Sequence, residues 1–275
     1  AGNLRFVSPV LAGAYRLRLL TTGPTTFDGD TSITASSLTF WGPVTVRGNF
    51  TVTGDTTING GSVNAGTFKQ TYNGAVTVGG AAEDDTIFTG VDMKFGGTLD
   101  GTSRLFMNDM GDTLYVGAIG GTTAPAHFQT DGQGSSKFSG GLVRTSSSSS
   151  IYIADHVLVT AALTEFDTTN HGLLATGANI TFAKTINGTT NNGTTNNQQA
   201  VSINAGTAGV VQVTGAVGDR QPLSTLTLVN SYGATFSQAV KADTAVVLSD
   251  TVAGQTIQFA DNLITPTLTT TGSGY

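Results

Sequence analysis

Residues 44–58 read VTVRGNFTVTGDTTI. Val44 and Val46, then Phe50 and Val52, take every second position with threonine between them, and glycine, asparagine and aspartate end each run. Alternation of this kind, rich in β-branched residues, marks half-buried strands of about three to six residues. It returns in LSTLTLV (223–229) and TIQF (256–259). HVLVTAALTEF (156–166) is the best helical candidate, and its valines and threonines suit a strand equally well. The chain therefore reads as all-β.

Working outward from that stretch, a five-residue pattern recurs: an aromatic residue or valine, three mostly small residues, then a branched apolar residue. It occurs as FWGPV (40–44), YNGAV (72–76), FGGTL (95–99), FSGGL (138–142), FAKTI (182–186), VTGAV (213–217) and FSQAV (236–240). The spacings between starts are 32, 23, 43, 44, 31 and 23. The hexapeptides SVNAGT (62–67) and SINAGT (202–207) fall in the same alignment. These equalities predict a degenerate duplication in which about 38–100 matches 180–242. A short strand-turn unit cannot bury its apolar face alone, but stacked units can. Spacings of 23, 43 and 44 read as one, two and two turns of a coil of about 22 residues. The expected fold is a right-handed parallel β-helix (β-solenoid) with irregular insertions; antiparallel sandwiches are the alternative. Phe40, Tyr72, Phe95, Phe138, Phe182, Val213 and Phe236 are the candidate core ladder. The expected division is an end cap or subunit contact over 1–35, a solenoid block over 36–100, a divergent region over 101–155 and a second solenoid block over 156–275.

Composition fits such a stack. Only 11% of the 275 residues are charged, against about 25% in ordinary globular proteins. Like charges one rung apart would repel. The net charge of −6 gives no electrostatic case for nucleic-acid binding. The absence of cysteine removes disulfides, thiolate nucleophiles and cysteine-bound metals. No apolar run reaches the roughly 18–20 residues of a membrane helix. FVSPVLAGAYRLRLL (6–20) lacks the layout of a signal peptide.

Catalytic and metal-binding patterns are sparse. His127, His156 and His171 match no zinc-ligand spacing. Ser146–Ser150, Asp155 and His156 hold triad residue types without a nucleophile elbow. AEDDT (82–86) and NDMGDT (108–113) gather carboxylates. If neighbouring rungs brought Asp84 or Asp85 to Asp109 or Asp112, paired acids could cleave a glycan. NDMGDTLYVG (108–117) also echoes a calcium-binding turn through Asp109 and Asp112. No enzyme activity and no cofactor is expected, with calcium the one candidate ion. NGTTNNGTTNNQQ (187–199) reads as a polar excursion. Leu17 and Leu19 alternate with Arg16 and Arg18 in an amphipathic strand. A solenoid end exposes unpaired strands, so Leu4, Phe6, Tyr15, Leu17, Leu19, Leu268 and Tyr275 are candidate assembly contacts.

ATGANITFAKTING (175–188), SINAGTAGVVQVTGAVG (202–218), PLSTLTLVNSYGATFSQAV (222–240) and GQTIQFADNLITPTLTTTGSGY (254–275) resemble the large β-strand-repeat surface proteins of bacteria, relatives of filamentous haemagglutinin. GNFTVTGDTTING (48–60) and QTYNGAVTVGG (70–80) resemble the same class and phage tail-fibre repeats. The resemblance implies an extracellular, surface-displayed β-helical shaft in an adhesin or filament. It implies self-association and a possible glycan or cell-surface ligand, and no catalytic residues to carry over. A virion fibre or a β-helical glycan-cleaving enzyme are the alternative readings.

Overall fold

The computed structural model describes residues 2–7, 10–146, 149–189 and 199–272. Its strands are all joined in parallel, and no helix occurs among the described residues. Among the described residues no helix is long and apolar enough to cross a membrane. The chain winds through three sheets in turn, making a β-solenoid of about 11 turns. The first sheet stacks 12 strands, from Leu4–Phe6 to Ile257–Phe259. We number rungs from these strands.

The second sheet runs from Val10–Leu11 to Ile186–Asn187 and continues through the bridges Ile186–Val217–Val240. The third joins a 5-stranded to a 7-stranded stack through the bridges Leu99–Ile119–Val143. Residues 104–144 carry strands on the same ladders as their neighbours, as do residues 4–34. The helical candidate at 156–166 is two strands, His156–Val159 and Leu163–Asp167.

Alternation dictates burial. In Val44–Val46 and Phe50–Val52 the valines and Phe50 point inward and the threonines outward. Parallel register then sets like residues above one another. Tyr72 pairs with Phe95, Phe95 with Tyr115 and Tyr115 with Phe138. Their rings stack at 5.3, 5.7 and 5.0 Å, tilted by 11° or less. Stacked pairs add about 0.5–1.5 kcal/mol each beyond the area they bury. A second ladder, in the first sheet, runs Ile153, Phe182, Val213, Phe236, Phe259.

All seven candidate ladder residues are buried, but they occupy three sheets. Phe40 lies in the third, Tyr72, Phe95 and Phe138 in the second, and Phe182, Val213 and Phe236 in the first. No single rotation about the coil maps Phe40, Tyr72 and Phe95 onto Phe182, Val213 and Phe236. The long duplication is therefore not a structural repeat. The five-residue pattern is instead a corner. Its first and last residues end one strand and begin or bridge into the next sheet, and all three corners use it. FWGPV turns from the third sheet to the first; YNGAV, FGGTL and FSGGL turn from the second to the third; FAKTI, VTGAV and FSQAV turn from the first to the second.

The hexapeptides are corners too, on different sides of the coil. In each, Asn64 or Asn204 accepts from the N–H of Gly66 or Gly206, and that glycine is left-handed at φ 57° or 70°. Most corner glycines have another cause. Gly54, Gly74, Gly97, Gly117 and Gly140 form a column. A Cβ on any of them would come within 2.6 Å of backbone in the rung beneath. Close backbone approach, as well as positive φ, thus explains the glycine content.

Candidate functional site

Among the described residues, the first and last rungs of the first sheet each pair with one neighbouring rung. Leu4–Phe6 pairs on one side only, with Thr25–Phe27. Phe6 lies flat on Phe27 at 5.0 Å. Leu4, Phe6 and Leu17 are partly buried against the core, Leu19 is buried, and Tyr15 is 79% exposed. At the far end Ile257–Phe259 pairs only with Ala234–Phe236, and Phe259 lies flat on Phe236 at 4.9 Å. Leu263 is partly buried; Ile264 and Leu268 are 53% and 51% exposed. Tyr275 lies outside the described residues.

The ends also differ in sign. Residues 1–20 hold Arg5, Arg16 and Arg18 and no acid. After Lys241 the chain holds Asp243, Asp250 and Asp261 and no further lysine or arginine. Arg16 and Arg18 project outward because Leu17 and Leu19 take the inward positions of the same strand. Arg5 bonds to Asp28, which also binds Arg47 at 3.1 Å. The Arg5 hydrogen bond leads in holding the Asp28 carboxyl below its ordinary range.

Inside the coil, the corner between first and second sheets turns polar at rungs six to eight. Asp109 is 2% exposed and accepts from Met93 N, Gly111 N and Thr113 Oγ1. This donor set braces a turn. Asp112 lies outside and accepts from the N–H and Oγ of Ser135. The two calcium candidates are thus on opposite sides of the wall. Two rungs on, Asp155 is 2% exposed and accepts from Ser136 Oγ at 2.7 Å. Burial pushes its carboxyl up to about 7, with Asp131 adding to the rise. Neither Asp131 nor Asp155 stood out in the sequence as interior, since aspartate after a strand ordinarily reads as a solvated turn.

The carboxylates considered as a glycan-cleaving pair are not brought together. Asp84 Oδ2 accepts from Ala81 N, and Asp85 pairs with Arg104 at 2.7 Å. Asp85 and Asp109 pair with opposite ends of neighbouring strands, about 16 Å apart along the strand direction. Asp155, in the corner, and His156, at the start of the next strand, face opposite sides of the wall. The aspartate is interior, whereas His156 Nδ1 meets Thr185 Oγ1 outside at 2.8 Å.

A group that spacing did not reveal is Glu165, Asp167 and His171, whose ligand atoms lie within 4.8 Å of one another. It arises because Glu165 and Asp167 share a face of Leu163–Asp167, and the left-handed residues Asn170 and His171 fold the loop back over them. Asp167 already accepts from Thr169 N, Thr169 Oγ1 and His171 N, so its carboxylate anchors that loop. Most of the polar excursion 187–199 falls outside the described residues. No protein-family model, curated protein or solved structure matches the chain.

Proposed function

We propose that this chain is a segment of an extracellular structural shaft, a bacterial surface filament or adhesin stalk, in which solenoid segments join head to tail. One observation supports the reading: three parallel sheets run through about 11 turns, and the first and last described rungs carry the same kind of aromatic ladder beside charges of opposite sign, so that one segment can continue the ladders of another. A second copy set on the first would extend all three sheets with parallel pairing. It would cover Phe6 and Phe259 and bring Arg16 and Arg18 toward Asp250 and Asp261. A head-to-tail contact of this kind is heterologous and grows along one axis. Opposite charge would orient the encounter and make it salt-dependent.

The chemistry of the shaft is mechanical. Continuous parallel sheets and stacked rings resist bending, and the threonine-rich outer faces need no partner. The lack of cysteine and the low lysine content agree with an extracellular setting, as does the resemblance to β-strand-repeat surface proteins.

Sedimentation velocity at low salt tests the reading. The unaltered chain should form oligomers whose size rises with concentration and falls as salt is added. R16E/R18E should remain monomeric under the same conditions. A wild-type chain that is monomeric throughout, or a variant that assembles equally well, would overturn it.

A further inference from the structure

The outer face of the first sheet is plain over most of its length, carrying residues such as Thr26, Thr45, Gln212, Thr235 and Gln258. Rungs five to nine depart from this. One outward column there pairs Asp85 with Arg104 and Arg104 with His127. The column beside it pairs Ile87, Phe106, Gln129, Tyr152 and Thr181 in succession. A cleft of about 570 Å³ opens over these columns, lined by Arg104, Phe106, His127, Gln129, Ser150 and Asn179 among others. That volume is within the range of about 300–1,000 Å³ usual for ligand clefts. One wall is made by the corner segments around Ser150 and 177–179.

The lining is ordered and carries little charge. Phe106 and His127 meet ring to ring at 5.4 Å. His127 Nδ1 contacts Ser150 Oγ and Nε2 contacts Gln129 Oε1, each at 3.4 Å. Arg104 is neutralised by Asp85. Burial lowers the His127 pKa from its usual value, which favours the uncharged ring. What remains is amide and hydroxyl groups beside the Phe106 ring, and the 36%-exposed Tyr152 lies outside the lining, two rungs along the same column. These rings sit two rungs apart in one column, about 9.6 Å, close to the length of two hexose units.

We infer that a linear, uncharged oligosaccharide lies along the coil axis in this cleft and over the column beyond it, with Phe106 in the cleft and Tyr152 outside it under alternate sugar rings and Gln129, Ser150 and Asn179 on its hydroxyls. An apolar ring face beneath and bidentate amides at the side suit a sugar, whose faces are C–H-rich and whose edge is hydroxylated. The cleft's neutrality argues against polyanions. A peptide adding to a sheet needs a free strand edge, and the middle of this coil has none. The site does not depend on head-to-tail assembly, because a monomeric chain keeps it whole.

The test is calorimetric titration of the full chain with cello-, xylo-, malto- and laminari-hexaose, and with a linear hexauronate as the charged comparison. We expect saturable binding of at least one neutral hexasaccharide. F106A and F106L should each weaken it about tenfold, and Q129A should weaken it by a similar factor. Y232A, at an exposed corner outside the cleft lining, should leave it unchanged. Phe106 points outward, so the melting temperatures of its variants should stay near wild type. No saturable neutral ligand in the series, binding of the hexauronate alone, or affinity indifferent to F106A would each overturn the inference.

Discussion

The middle of the coil and its ends use the same ladders with different numbers of neighbours. Phe95 is 1% exposed, with Tyr72 stacked on one face, Tyr115 on the other and Phe88 edge-on. Phe259 stacks on Phe236 alone and is only partly buried. In a quasi-one-dimensional fold each rung is stabilised by the rungs beside it, so a ring with one stacked partner carries less of that stabilisation than a ring with two.

The sharpest way to break this comparison is to delete a middle ring. F95A should cost about 3–5 kcal/mol in guanidinium unfolding, the usual range for a buried phenylalanine. F259A should cost about 1–2 kcal/mol in the monomer, since less area and one stacking partner are lost, yet it should impair assembly more than F95A does. Equal losses at the two sites would mean that the ladder does not supply the coil's cohesion.

A third experiment concerns Asp155, where the middle of the coil departs from its own apolar rule. The groups around it are Asp131, Ser136, Thr130 and Lys184, with Asp109 and Tyr115 near by. Its folded pKa of about 7 stands above the unfolded value of about 3.9. The folded state therefore holds a proton that the unfolded state has lost between those limits. Stability should be highest near pH 4 and fall toward pH 7 by about 1 kcal/mol per pH unit from this group. D155N, which mimics the protonated form, should flatten that part of the profile. An unchanged slope would move the effect to another residue.

The smallest effect belongs to the surface. Arg47 and Asp28 pair outside the wall, with the arginine side chain 63% exposed. R47A should change stability by less than about 0.5 kcal/mol, and a larger loss would show that outer pairs stitch rungs together.

Much of this contrast was legible in the sequence, for a physical reason. Parallel in-register stacking makes the sequence distance between ladder partners equal to one turn. The 23-residue steps from Tyr72 to Phe95 and from Val213 to Phe236 are therefore true rungs. The 43-residue step from Phe95 to Phe138 is two rungs through Tyr115. The 44-residue step from Phe138 to Phe182 crosses between sheets and is no ladder. The corner pattern serves three corners alike, so equal spacings arose without equivalent positions, and the apparent duplication followed.

The sites were less legible because they are made across rungs. Arg104 and His127, like Gln129 and Tyr152, are far apart in the chain and meet only through register. Asp155 looks like any turn aspartate until the corner folds it inward. The alternation of Leu17 and Leu19 with Arg16 and Arg18 was legible, and the structure turns the leucines inward and the arginines outward.

Negative-stain electron microscopy across protein concentration and salt tests the central claim most directly. About eleven steps at about 4.8 Å each make a rod of about 50 Å. The account predicts straight rods in multiples of that length, longer at high protein concentration and low salt, and returning to the unit length in high salt. Rods of one unit length under every condition would contradict it.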